Sequence, residues 1–183
     1  MRRRRDGSPG FALAELLVVL ALAGLVLLAL TGLLQQGERA YLDGTARLEA
    51  QQSARVALGR IGRELREAGI DPKGTGFPPL VNPTPTGFTI QNDLNGDGVI
   101  AGNRERITYS LTGRTLRRNA GGGAQPLIDD VEALAFAYLD AEGRPTGVPV
   151  EIRSVLIVIT TGPEKKPRTG AVTMTTQVRF RNR

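Results

Sequence analysis

The sequence predicts an α+β fold: a long N-terminal helix, apolar in its first half and amphipathic in its second, packed against a mostly antiparallel β-sheet head. Three observations predict it. Leu16 to Gly37 contains no charged residue, and about 20 such residues suffice for a helix to cross a bilayer. Ala54, Leu58, Ile61, Leu65 and Ala68 then recur at spacings of three and four, which marks one apolar stripe on a helix. After Gly69 the apolar residues shift to a period of two, and no long helical pattern returns.

The helical half divides further. Residues 1–10 form a basic leader in which Arg2, Arg3, Arg4 and Arg5 stand against Asp6, so half of the net charge of +6 lies there. Residues 11–35 are the expected transmembrane helix and residues 36–69 its amphipathic continuation. The apolar run is longer than the roughly 7–15 residues of a secretory signal. Its end, Thr31 to Gln35, offers no small-residue cleavage pattern. Arginines stay on the cytoplasmic side, so a single pass through the cytoplasmic membrane with the C-terminus outside is expected. Gly69 suits the position just past a helix end, with Pro72 as a stop. Gly24, Gly32, Gly37 and Gly44 are weak points, each costing about 1 kcal/mol against alanine.

Residues 70–87 read as a linker, because Pro72, Pro78, Pro79, Pro83 and Pro85 with Gly74 and Gly76 forbid regular helix or central strand. Residues 88–183 read as the β-rich head. Phe88–Gln91 is a short strand, and Ile107–Leu111 with Thr115–Arg118 flank Gly113 as a hairpin. Val131–Leu139 alternates bulky Leu134, Phe136 and Tyr138 with Ala133, Ala135 and Ala137. The alanine face is the one expected to admit the helix. Val155–Ile159 is an uninterrupted apolar run, as in a strand covered on both sides. Residues 172–180 alternate again, with one wet face.

Composition narrows the function. With no cysteine there is no disulfide framework or thiolate metal site, and with no histidine no Ser-His-Asp or Cys-His nucleophile. The sequence is not expected to be an enzyme. Asp129 and Asp130 are adjacent, so on a strand they point to opposite faces and do not form a catalytic pair. With no tryptophan, three tyrosines and scattered positive charge, nucleic acid is not an expected partner. Arg117, Arg118, Arg179, Arg181 and Arg183 are expected on a wet face or a subunit contact.

Asp93-Leu94-Asn95-Gly96-Asp97-Gly98 fits the start of an EF-hand-type loop, where alternate oxygens converge on one hard cation and glycine allows the turn. Asp93, Asn95, Asp97, the Val99 carbonyl and Glu105 are its candidate Ca2+ ligands. Position twelve is Arg104, with Glu105 one place late. A solvated Asx/Gly turn uses the same residues, and both readings stand.

Glu15 is unusual inside an apolar run, where an ionised carboxylate costs up to a few kcal/mol. The string Gly10-Phe11-Ala12-Leu13-Ala14-Glu15, behind a short basic leader, resembles the cleavage site of type IV prepilins and type II secretion pseudopilins. Ala12 replaces the threonine commonest in that family. The resemblance implies a prepilin leader at residues 1–10, cleavage between Gly10 and Phe11 by a prepilin peptidase, and N-methylation of Phe11 by the same enzyme. It implies that Glu15 pairs with the N-terminal amine of a neighbouring subunit during assembly. Loose patterns at Arg63–Ile70, Glu105–Leu111, Val131–Asp140 and Arg181-Asn182 resemble PilW-type minor pilins and J-type minor pseudopilins. The implied partners are other pilins or pseudopilins, and the implied destination is a periplasmic or extracellular filament. A type IV pilus, a type II secretion or competence pseudopilus, and an adhesive or DNA-uptake tip module all remain open on these residues.

Overall fold

The computed structural model describes residues 13–102, 104–162 and 170–182. The chain forms two compact units, Met1–Leu42 and Asp43–Arg183. A single helix, α1 (Leu13–Glu67), belongs to both, and eight strands follow in the second unit. The fold is α+β, with antiparallel sheets against the helix, a pilin-like architecture.

In the first unit the described residues are helical and their apolar side chains face outward: Leu16, Val19, Leu22 and Leu28 are all exposed. This stretch is long and apolar enough to cross a membrane, the property of a membrane anchor or a signal sequence.

In the second unit five strands make one sheet in chain order: β1 (Leu80–Thr84), β2 (Gly87–Gln91), β3 (Arg106–Thr112), β4 (Thr115–Asn119) and β5 (Ala124–Ile128). Three make another: β6 (Val131–Leu139), β7 (Ser154–Thr161) and β8 (Val172–Arg179). All pairings are antiparallel. Ala54, Ala57, Ile61 and Leu65 of α1, and Ala68 just past its end, are buried with residues of both sheets in one core. Fully burying an aliphatic side chain such as Ile61 or Leu65 is worth about 1.5–3 kcal/mol, so this stripe accounts for the docking. Ala57 completes it on the buried side, and Leu58 is only partly covered.

Aromatic and tyrosyl contacts join the two sheets. Phe88 of β2 meets Phe136 of β6 edge to face, with centroids 4.8 Å apart, a favoured quadrupole arrangement. Tyr138 Oη donates to the carbonyls of Thr84 and Gly87 at 2.6 and 2.8 Å. Burial pushes the Tyr138 phenol well above its ordinary pKa, so it stays a donor.

The helix ends as its glycine suggests. Gly69 has φ +83°, and its N–H donates to the Gln91 carbonyl. Asn182, from the chain's other end, donates its amide to the carbonyls of Glu67 and Ala68 at 3.0 and 3.4 Å. These are among the orphan acceptors every helix terminus leaves.

Three expectations need correction. Residues 80–84, read as linker, form β1; it is an edge strand whose pairing with β2 is interrupted between Val81 and Thr84, where Pro83 falls. The alanine face of β6 does not receive the helix: Leu134, Phe136 and Tyr138 are buried while Ala133 and Ala135 are exposed. Bulky side chains carry more transfer free energy and take the core side. Strand β7 is covered fully on one face only, with Val155, Ile157 and Ile159 buried and Leu156 and Val158 half-buried.

Candidate functional site

Gly10 and Phe11, the expected cleavage and methylation positions, lie outside the described residues. Glu15 lies in the first turn of α1, flanked by the exposed apolar side chains of Leu13, Leu16, Val18 and Val19. An acidic group is favoured at a helix N-terminus by the backbone dipole. Here it is set at the border of an apolar surface.

The loop between β2 and β3 closes around two carboxylates. Asp93 is fully buried and Glu105 nearly so. Asp93 Oδ1 accepts the N–H groups of Gly96 and Asp97 at 2.7 and 3.2 Å, and Oδ2 that of Gly98 at 2.9 Å. Glu105 accepts from Leu94 and Asn95 on one oxygen and from Ala101 and Gly102 on the other. Asn95 Oδ1 accepts the Asp97 N–H, while Asp97 accepts the Val99 N–H and the Asn95 amide. Gly96 and Gly98 supply the left-handed turns, at φ +74° and +82°. Every side-chain oxygen of the candidate calcium set therefore already accepts an N–H. Among the described residues no group of three or more Asp, Glu, His or Cys is arranged to hold a metal ion. The bonds account for the loop as a nested Asx turn closed by Glu105.

A polar centre that sequence reasoning missed lies where the helix meets the five-stranded sheet. Glu64 is 8% exposed. Its carboxylate accepts from Tyr109 Oη at 2.6 Å, from Arg60 Nε at 2.6 Å, and from Arg118 Nε at 3.0 Å. Burial by itself would raise the Glu64 pKa, but the hydrogen bonds from Arg118, Tyr109 and Arg60 outweigh it and hold the carboxyl below its ordinary range. The Tyr109 phenol is pushed well above its own, by burial and then by the bond to Glu64. Arg118 thus departs from the expected wet face: its side chain is 19% exposed and committed to Glu64. Its neighbour Arg117, on the other face of β4, is half-buried and reaches the Ala124 carbonyl instead. The alternation of β4 is the signal that could have separated the two arginines, since Leu116 and Arg118 share a face.

This centre binds helix to sheet. Its carboxylate is committed to hydrogen bonds from both elements, a structural role. Asp129 likewise is taken by the Thr115 hydroxyl at 2.7 Å, a turn contact.

No protein-family model matches the chain, and no curated protein matches it.

Proposed function

We propose that the chain is a minor pilin or pseudopilin, a non-enzymatic filament subunit of the PilW or J type. In this reading it enters the cytoplasmic membrane with residues 1–10 inside, is cut after Gly10, and is N-methylated at Phe11 by a prepilin peptidase. It then joins other pilins or pseudopilins in a filament outside that membrane, at initiation or at the tip. One observation carries the reading: Glu15 stands in the first turn of a 55-residue helix, at the head of an exposed apolar stretch directly behind Gly10-Phe11. In the apolar core of such a filament an opposite charge stabilises a carboxylate, and an N-terminal amine released at Phe11 of a neighbouring subunit would supply one to Glu15. The pilin-like order of apolar helix, then antiparallel β head, supports it.

The deciding experiment is mass spectrometry of the N-terminus of chain recovered from membranes of cells with an active prepilin peptidase. A chain beginning at N-methyl-Phe11 is expected. A chain that retains Arg2–Arg5 would overturn the reading.

A further inference from the structure

The polar centre at Glu64 opens onto a cleft of about 360 Å³ between the last turns of α1 and the β2–β3 connection. Four arginines line it, Arg60, Arg63, Arg104 and Arg118, against two carboxylates, Glu64 and Glu67. Their commitments differ. Arg60 and Arg118 are both held by Glu64, at 2.6 and 2.9 Å. Arg63 and Arg104 are exposed and make no side-chain hydrogen bond or ion pair among the described residues. Glu64 is saturated by Tyr109, Arg60 and Arg118, so it cannot neutralise them.

Arg104 also has φ +70°, a conformation uncommon for a residue with a side chain. Its N–H donates to the Ala120 carbonyl at 3.0 Å, which ties this backbone to the β4–β5 connection. Three apolar side chains share the lining. Ile70 is half-buried, Ile107 is buried, and Leu94 is 51% exposed.

We propose that this cleft docks an acidic segment of a partner protein, with a carboxylate held by Arg63 and Arg104 and an adjacent apolar side chain laid on Leu94 and Ile70. Arginine pairs with carboxylates in a planar, two-pronged geometry that lysine cannot match. A nucleic-acid strand fits less well. Glu67 stands among the arginines and repels a continuous row of phosphates, and no aromatic side chain in the cleft offers a base a stacking surface. An isolated carboxylate beside an apolar residue meets the charge and the apolar lining together. The proposal does not depend on processing at Gly10, because its residues all belong to the second unit.

The test uses the full chain in a neutral detergent and a fluorescein-labelled decapeptide with one glutamate flanked by leucines in a serine-glycine background, followed by anisotropy. Saturable binding that weakens with salt is expected. Arg63→Glu with Arg104→Glu should reduce affinity by about tenfold or more, whereas Arg55→Glu, an exposed charge on the same helix outside the cleft, should change it by less than about twofold. The neutral pair Arg63→Gln with Arg104→Gln should also weaken binding, which keeps the test valid if reversed charges disturb folding. Equal loss in Arg55→Glu, or no loss in either double variant, would overturn the proposal. So would displacement of the peptide by an oligothymidine or by inorganic phosphate at concentrations matched in charge, which would mark a general anion site.

Discussion

Arg118 on β4 and Glu64 on α1, separated by 54 residues in the chain, meet side by side beneath the helix, and Tyr109 of β3 closes the contact from below. The pair fixes which turn of the helix faces which strand. Apolar packing alone leaves a helix free to slide along a sheet, because hydrophobic burial has no direction. A charge-assisted hydrogen bond has direction, and losing it leaves a buried carboxylate uncompensated.

Replacing Arg118 should therefore be costly. Arg118→Ala is expected to destabilise the second unit by about 2–4 kcal/mol, since Arg60 and Tyr109 keep part of the Glu64 compensation. Arg60→Ala should cost less, about 1 kcal/mol, because Arg60 is itself 44% exposed and Arg118 and Tyr109 still hold Glu64. Denaturant titration of the full chain in detergent, followed by far-ultraviolet circular dichroism, ranks the two. Equal losses would mean that Arg118 is not the partner that matters.

The same centre gives stability a pH dependence. The folded chain holds Glu64 below its ordinary pKa, so across acid pH the unfolded chain binds more protons than the folded one. Stability then rises with pH, is fully present above the unfolded value of 4.5, and fades as pH falls through the lower folded value. Asp71 and Asp140 are also held low, each mainly by backbone N–H bonds, and act in the same direction. Glu64→Gln should flatten the melting-temperature profile below about pH 4.5 without abolishing its slope. An unchanged profile would remove Glu64 from the account.

Gly69 should not tolerate a side chain. A Cβ there would sit 2.8 Å from Pro79 Cγ and 3.0 Å from the Asn182 carbonyl, at φ +83°. Gly69→Ala is expected to cost about 1–3 kcal/mol from the left-handed conformation and the close approach together. Gly59→Ala, on open helix surface, should be neutral or stabilising by up to about 1 kcal/mol. Thermal melts of the two variants side by side would show the contrast.

The loop of Asp93 makes a separate claim. Asp93→Ala strands three N–H groups and should destabilise by about 2–3 kcal/mol. Since its oxygens are engaged by backbone donors, millimolar calcium should leave the melting temperature of the native chain unchanged. A calcium-dependent rise that Asp97→Asn abolishes would instead establish a cation site there.

In the proposed filament, Glu15→Ala should leave leader removal intact and abolish incorporation of the chain. Immunoblots of membranes and sheared filaments, scored for size and for presence, separate the two steps. Undiminished incorporation would dismiss the pairing of Glu15 with a neighbouring amine.

Much of the fold was legible because its signals are local. The membrane-length helix follows from its uncharged run, the stripe through Ile61 and Leu65 from helical period, β2, β3, β4, β6 and β8 from alternation and turn residues, and β7 from its continuous apolar run. The two strands that escaped notice, β1 and β5, are both edges and both contain proline, at Pro83 and Pro126. A strand with one neighbour needs only half the pattern of a central one. The face of β6 was misassigned because small residues permit close approach without requiring it.

By itself the sequence determined a membrane-length helix, its amphipathic continuation, a β-rich head and the position of Glu15, all set by residues near one another in the chain. Only the tertiary structure decided that Glu64 and Arg118, each charged and each plausible at a surface, would be buried against one another. It also decided that Asp93 and Glu105 would gather the backbone of their loop, and that the strands would divide into two sheets. Local periodicity says which face turns inward; which partner waits there depends on contacts between residues distant in sequence, and a charge carries no mark of the opposite charge it will meet.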